Sequence, residues 1–150
     1  MKICISCSAG GHLIEALQLE EAYKNYEHFF ITFRQEGVVD ELKNEKFYFL
    51  IDPKRNVLLF FKCIFETLNI LLKERPNVII STGAGVAIPS IIIGKILLRS
   101  KIIFVESFTR IHQPSLSGKI AYFFSDLFFV QWKQLLKKYG KKAIYRGAVV

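Results

Sequence analysis

Three features of the sequence predict an α/β fold built on a doubly wound parallel sheet. Short apolar runs alternate with segments of helical pattern along the whole chain, as when crossover helices join parallel strands. Two of the runs, residues 77–81 and 101–105, are nearly continuous β-branched stretches, which is typical of strands buried on both faces. A chain of 150 residues, 51% of them hydrophobic, is long enough for one domain with a sizeable core. The expected architecture is a single Rossmann-like domain over residues 1–150.

The elements follow one another without an internal repeat, a low-complexity tract or a linker. Apolar runs predict strands, and the segments between them predict helices. The strands are expected at Lys2–Cys7, Glu27–Arg34, Lys46–Ile51, Asn77–Thr82, Lys101–Ser107, Asp126–Val130 and Lys142–Arg146. The helices are expected near His12–Tyr26, Val38–Asn44, Asn56–Glu74, Val86–Leu98, Ser115–Phe124 and Lys133–Tyr139.

Three loops of unusual composition follow strands of this sheet. They are the segments 8–12 (Ser-Ala-Gly-Gly-His), 81–85 (Ser-Thr-Gly-Ala-Gly) and 106–110 (Glu-Ser-Phe-Thr-Arg). In open α/β sheets, ligands bind at the carboxyl ends of the strands, near the point where the strand order switches. The three loops are therefore expected to meet at one site.

The first loop has the composition of an oxyanion cradle. Gly10 and Gly11 permit positive φ and allow a ligand to approach bare backbone, and the following helix directs free N–H groups toward it. The segment lacks both the dinucleotide-binding glycine pattern and the Lys-Ser/Thr of a Walker loop. His12, at the mouth of the helix, can donate to an anion or accept a proton from a hydroxyl. The alternative is a tight turn in which His12 only starts the helix.

The other two loops repeat parts of this chemistry. Gly83 and Gly85 again lie between a strand and a helix, although simple packing of the helix on the strand would also explain them. Glu106 ends its strand and precedes Arg110 by four residues, so the pair can bind a sugar hydroxyl or form an internal salt bridge. The histidines and cysteines do not have the spacing of metal ligands, so no metal site is predicted, and no cofactor is expected.

The ordered set of motifs resembles one known family. Ser8-x-Gly-Gly-His12-x-x-Glu15, Ser81-Thr-Gly-Ala-Gly85-x-x-x-Pro89 and Val105-Glu-Ser-x-Thr-Arg110 are similar to signature stretches of the acceptor-side subunit of two-part GT-B glycosyltransferases. That family includes bacterial PssD-type and CpsF-type polysaccharide proteins and the eukaryotic membrane-anchor subunit of a lipid-linked N-acetylglucosaminyltransferase. The same loops more distantly resemble the N-terminal half of MurG.

The resemblance implies a fold, an activity and site residues. The fold would be that of the N-terminal domain of a GT-B glycosyltransferase, and a separate chain would bind the UDP-sugar. The two chains would extend a polyprenyl-diphosphate-linked sugar. Motif matching gives catalytic roles to His12 and Glu106, and the acceptor sugar or a charge pair to Glu106, Ser107 and Arg110. The acceptor diphosphate would be bound by Ser8, Gly10, Gly11, His12, Gly83 and Gly85.

The C-terminal third carries most of the positive charge. Residues 107–150 contain eight basic side chains and one acidic side chain, which accounts for seven of the eight net charges. Such a block favours an anionic partner, here an anionic membrane surface, although a solvated face that only aids solubility is the alternative. No RNA-binding signature accompanies the block, so nucleic acid is not an expected partner. The lysines expected at the membrane or partner surface are Lys133, Lys137, Lys138, Lys141 and Lys142, the first three of them on a predicted helix.

The segment 56–72 is the candidate for apolar membrane contact. On a helical wheel, Arg55, Lys62, Glu66, Asn69 and Lys73 form one narrow polar stripe, and nearly every other residue is apolar. This apolar face is wider than packing on a sheet requires, so it is expected to meet lipid or a partner subunit. The side chains expected at that surface are Phe60, Phe61 and Ile64. Burial of the whole helix within the domain is the alternative.

These observations predict a glycosyltransferase subunit at the cytoplasmic face of the cell membrane. Because the first strand begins at residue 2 and no long apolar segment is present, membrane association is expected to be peripheral. A non-catalytic scaffold that recruits and activates a separate catalytic subunit is the second hypothesis.

Overall fold

Seven parallel strands form one sheet in the computed structural model, which describes residues 1–54 and 56–149. The strands are β1 (Lys2–Cys7), β2 (Glu27–Phe33), β3 (Phe47–Leu50), β4 (Val78–Gly83), β5 (Lys101–Val105), β6 (Leu127–Val130) and β7 (Ala143–Tyr145). The sheet order is β3-β2-β1-β4-β5-β6-β7, so the strand order reverses between β1 and β4. The predicted doubly wound parallel sheet is confirmed.

Helices cover both faces of the sheet. They are α1 (Gly11–Leu17), α2 (Val38–Glu41), α3 (Val57–Glu74), α4 (Ala87–Ile96), α5 (Leu116–Phe124) and α6 (Leu136–Tyr139). Buried residues of α1 and α2 pack on one face with Ile5 and Phe30. Buried residues of α3 to α5 and partly buried residues of α6 pack on the other face with Ile79, Phe104 and Phe128. The carboxyl ends of β1 and β4 lie at the switch point between these two layers, where α/β sheets bind ligands.

The first helix is shorter than the sequence predicts. It ends at Leu17, and a separate 3₁₀ turn covers Glu20–Ala22. Tyr23 is buried, and its hydroxyl donates to the carbonyl of Ala16, which a continuous helix would need for its own ladder. Burial of this aromatic ring therefore turns the chain where the local pattern alone favours helix.

The predicted lysine helix is also interrupted. A 3₁₀ turn over Lys133–Leu135 leads into α6, and Gly140 then leaves the helical conformation with a φ of 96°. Lys141 and Lys142 therefore lie beyond the helix.

α3 has one buried face and one exposed apolar face. Asn56 caps it by accepting hydrogen bonds from the backbone of the first turn. Phe60 and Phe61 are 42% and 63% exposed, as expected for a contact surface, whereas Ile64 packs against the core and does not belong to that surface. Arg55, placed on the polar stripe, lies outside the described residues. In the described part of the chain, no helix is both long and apolar enough to cross a bilayer.

Over one part of the sheet, the described residues form no covering helix. The face of β5 and β6 opposite α4 and α5 exposes Leu127 to 42% and borders a cavity of about 340 Å³. Ile103, Val105, Leu127 and Phe129 line this cavity together with the segment 146–149. The chain thus keeps an apolar sheet surface that its own helices do not cover.

Candidate functional site

A cleft of about 390 Å³ opens at the carboxyl edge of the sheet, where the three predicted loops meet. The loop after β1 contributes His12, the loop after β4 contributes Gly85, and the loop after β5 contributes Ser107 and Arg110. The first turns of α3, α4 and α5 complete the walls. The expected convergence of the loops is therefore present in the structure.

Two hydrogen bonds fix the position of His12. Its Nδ1 lies 2.9 Å from the carbonyl oxygen of Thr82, and the Thr82 hydroxyl donates to the His12 carbonyl at 2.6 Å. A carbonyl can only accept, so Nδ1 carries a proton, and in the neutral ring Nε2 is the acceptor. Within the described residues, Nε2 makes no hydrogen bond. The imidazole is thus oriented with one nitrogen left for a substrate.

The glycines around His12 have different roles. Gly83 has a φ of 117°, and a Cβ there would lie 3.2 Å from Cε1 of His12, so the missing side chain makes room for the ring. Ala84 continues the unusual backbone with a φ of 73°, and Gly10 has a φ of 77°. Gly11 and Gly85 do not have positive φ, and space around each is open. The expectation of positive φ at Gly11 is therefore wrong.

Glu106 is a buried hub of hydrogen bonds. Its carboxylate accepts from the backbone N–H groups of Ser107 and Ser115, from the Ser115 hydroxyl and from the Tyr139 hydroxyl. Burial and this carboxylate raise the pKa of Tyr139. Glu106 is 1% exposed, both of its oxygens accept hydrogen bonds, and it is not among the residues that line the cleft. Its carboxylate holds neighbouring groups in this structure, and the catalytic role expected for it stays a prediction.

Further contacts hold the loop after β5. Glu15 of α1 accepts from the Ser107 hydroxyl and from the Phe108 backbone, each at 3.0 Å. The Gln131 side chain donates to the Glu106 carbonyl, and the Trp132 indole donates to the Phe108 carbonyl. This loop is therefore anchored from α1 on one side and from the segment after β6 on the other.

Arg110 is the cationic group of the cleft. It lies on an exposed turn, and none of the ion pairs among the described residues includes it. The internal Glu106–Arg110 salt bridge is thus not formed, because the Glu106 carboxylate faces α5 and α6. The guanidinium remains available for an anion.

The sequence interpretation missed several positioning residues. Glu15 lies within the first motif and Ser115 begins a predicted helix, but neither pattern indicates that they hold the loop after β5. Tyr139 is 33 residues from Glu106. A Cβ at Gly118 would collide with the Glu106 carboxylate and the Tyr139 hydroxyl. The available signal for Gly118 was a glycine in the first turn of the predicted helix, whereas no local pattern points to Tyr139.

The basic residues divide into two groups. Lys142 is half-buried, donates to the Tyr122 carbonyl at 2.6 Å, and lies over the Tyr122 ring, and burial lowers its pKa. It belongs to the packing of α5 and not to a free basic surface, which corrects its predicted role. Lys133, Lys137 and Lys138 are exposed beside Trp132 and Tyr145 at the far edge of the sheet.

Sequence comparison places the chain in a family. Residues 53–149 match the family described as "Oligosaccharide biosynthesis protein Alg14 like". The chain belongs to the Alg14-like family. Relatives named UDP-N-acetylglucosamine transferase subunit ALG14 include the human protein, 26% identical over 181 residues that cover all of this chain and 83% of that protein. The mouse protein is 33% identical over 100 residues, and the match covers 63% of this chain and 46% of that protein.

Solved structures share the fold of this Alg14-like chain. MurG from Acinetobacter baumannii superposes with a TM-score of 0.79 at 12% identity, covering 99% of this chain and 45% of that one. The UDP-GlcNAc 2-epimerase of Methanocaldococcus jannaschii gives a TM-score of 0.71 at 17% identity, covering 97% and 45%. The chain therefore spans less than half of these proteins, and the likeness confirms the predicted correspondence to the N-terminal domain of MurG.

Proposed function

We propose that this chain is the acceptor-side subunit of a UDP-N-acetylglucosamine transferase of oligosaccharide or polysaccharide biosynthesis. The observation that carries the proposal is His12, held at the switch point with an unoccupied Nε2 in a cleft that also contains Arg110. The names of the Alg14-like relatives support the donor sugar and the role as a subunit. The acceptor in this proposal is a sugar linked to a polyprenyl diphosphate.

The chemistry needs a base at the acceptor hydroxyl and charge stabilisation at the departing UDP. In the proposed reaction, Nε2 of His12 accepts the hydroxyl proton while the oxygen bonds to the anomeric carbon of the donor and UDP leaves. Arg110 and the backbone of the glycine loops face the acceptor diphosphate. Its proposed ligands are Ser8, Gly10, Gly11, Gly83, Gly85 and Arg110, while Nε2 of His12, an acceptor in the neutral ring, serves as the base. Glu106 and Ser107 position the loop that carries Arg110.

A partner chain is proposed to bind the UDP-sugar and to stabilise the leaving group. The described residues form one Rossmann-like domain, whereas the active site of a GT-B enzyme lies between two such domains. The uncovered apolar face of β5 and β6, with Leu127 at 42% exposure, supports a contact with another chain. The resulting assembly is a heterodimer in this proposal.

Membrane attachment is proposed to be peripheral, on the cytoplasmic face. The exposed face of α3 supports this, because Leu58, Phe61 and Phe65 are each at least 63% exposed on an amphipathic helix. The exposed lysines Lys133, Lys137, Lys138 and Lys141 would add attraction to anionic headgroups.

Reconstitution tests the proposed function. The full chain is combined with a chain carrying the donor-binding domain, and transfer from UDP-N-acetylglucosamine to a polyprenyl-diphosphate-linked sugar is measured. Loss of transfer in His12→Ala and Arg110→Gln, with normal co-purification of the partner, supports an acceptor site in this chain. Stimulation of the partner that survives both substitutions would favour the non-catalytic scaffold instead.

A further inference from the structure

The cleft has a second wall of a different chemical nature. Four apolar side chains line it: Phe60, Ile88, Leu116 and Ile120. They come from the first turns of α3, α4 and α5, with Ile120 one turn after Leu116. Because all three helices begin at the carboxyl edge of the sheet, their first turns meet beside the glycine loops. The wall is therefore built by the same topology that places His12.

This wall is well exposed for an apolar surface. Leu116 is 77% and Phe60 is 42% exposed, while Ile88 and Ile120 are partly buried. Single exposed apolar residues are ordinary on protein surfaces, but residues from three helices that converge on one cleft form a continuous patch, which is typical of binding sites. His12 and Arg110 line the same cleft as this patch.

The two walls match a ligand with an anionic head joined directly to a hydrocarbon chain. We propose that Phe60, Ile88, Leu116 and Ile120 bind the first isoprene units of the polyprenyl diphosphate acceptor, next to the diphosphate at Arg110. This inference rests on the proposed function, and it adds that this chain recognises the lipid as well as the diphosphate. A soluble sugar diphosphate would leave the apolar wall exposed to water and would bind more weakly.

Titration of the full chain with three soluble probes tests the proposal. The probes are inorganic pyrophosphate, geranyl diphosphate and farnesyl diphosphate, and binding is measured by calorimetry below the concentration at which the prenyl compounds aggregate. Affinity should rise from pyrophosphate to the prenyl diphosphates. Leu116→Ser should lower the affinity for farnesyl diphosphate by about tenfold and leave the affinity for pyrophosphate unchanged, since the lost contact is apolar.

A matched variant controls for nonspecific adsorption. Leu97 is 60% exposed and lies after α4, at the amino edge of the sheet, away from the cleft. Leu97→Ser removes the same side chain and should change no affinity. Both leucines are exposed, so neither substitution is expected to unfold the domain.

Each outcome distinguishes the two proposals. If pyrophosphate binds but the prenyl chain adds nothing, or if Leu97→Ser weakens farnesyl diphosphate as much as Leu116→Ser does, the apolar wall is not the lipid site, while the proposed function stands. If Arg110→Gln weakens the binding of neither pyrophosphate nor farnesyl diphosphate, the cleft is not a diphosphate site and the proposed function fails. Absence of binding by all probes overturns both.

Discussion

Carboxylates at the two ends of the parallel strands have different partners. At the amino edge, carboxylates are paired with cations: Glu74 contacts Lys2 and Lys46, and Asp126 contacts Lys95 and Lys101. At the carboxyl edge, the carboxylates Glu15 and Glu106 are held by hydroxyl, amide and phenol donors.

The consequence is a difference in what each edge leaves free. Neutral donors hold these two carboxylates without using a cation, although Oε2 of Glu15 is buried without a hydrogen-bond partner among the described residues. Arg110 and Nε2 of His12 therefore keep their capacity for a ligand. The paired amino edge has no such surplus at Glu74 or Asp126. The comparison supports the proposal that one edge stabilises the fold and the other binds the acceptor, and substitutions at the two edges test that division.

The largest expected effect is the loss of transfer in His12→Ala. Removal of a positioned general base should lower turnover of the reconstituted pair by about 100-fold or more. His28→Ala is the matched control, since His28 is bonded to Glu45 at the amino edge and should leave turnover unchanged. Circular dichroism checks the fold of both variants, and near-normal turnover of His12→Ala would remove the residue from the site.

Gly83→Ala should act through the imidazole. The added methyl would lie 3.2 Å from His12 Cε1 at a φ of 117°, so the ring must move. We expect about a tenfold loss of turnover and about 1 kcal/mol of destabilisation. Gly37→Ala carries similar backbone strain, at a φ of 84°, in open space. Gly37→Ala should therefore lower stability without lowering turnover. Equal losses of turnover in Gly83→Ala and Gly37→Ala would show that backbone strain, and not displacement of the His12 ring, is responsible.

Glu106→Gln and Tyr139→Phe test whether Glu106 positions the loop or abstracts a proton. If it positions the loop, each substitution leaves a buried group without its partner and lowers the free energy of unfolding by about 1–3 kcal/mol. Both should reduce turnover to a similar extent without changing its pH profile. A Glu106→Gln variant that is inactive and fully stable, beside an active Tyr139→Phe, would support the role of base.

Much of this site could be predicted from the sequence, and the limits have physical causes. His12, Gly83 and Arg110 follow strands within short motifs, so their meeting at one edge follows from parallel topology. The role of Glu106 could not be predicted, because Tyr139 becomes its neighbour only through the packing of α6. The length of α1 was likewise decided by the burial of Tyr23, a tertiary contact that overrides local helical preference.

Lowering the pH should reduce the stability that the Glu74 ion pairs at the amino edge contribute. Burial alone would raise the pKa of Glu74, but hydrogen bonds from Lys46, Tyr48 and Lys2 outweigh burial and hold it at about 2, below the ordinary value of 4.5. A lowered pKa in the folded state stabilises the fold above pH 4.5, and this stabilisation is lost as the pH falls toward 2. Urea unfolding should show a loss on the order of 2 kcal/mol across this range. The pH dependence of the free energy of unfolding should be smaller in Glu74→Gln. The same pH dependence in that variant would show that Glu74 is not its cause.

The smallest expected effect concerns the exposed lysines near the carboxyl edge. Replacement of Lys133, Lys137 and Lys138 by Gln should remove a salt-sensitive part of binding to anionic vesicles, about 1 kcal/mol per charge at low salt. The charge-matched control replaces Lys24, Lys43 and Lys101. Flotation assays compare the two variants, and equal binding would mean that only net charge matters. If the first variant instead loses co-purification with the partner, the lysines belong to that interface.

The contacts that hold the loop after β5 also determine the order in which parts of the cleft can form during synthesis. Its donors Gln131, Trp132 and Tyr139 lie 24 to 33 residues beyond the groups they bind. The ribosome therefore synthesises β1, β4 and His12 well before it adds the last residues that hold the loop after β5, which carries Arg110. During synthesis, the half of the cleft that holds the imidazole can form first, and the half that carries the guanidinium is completed last.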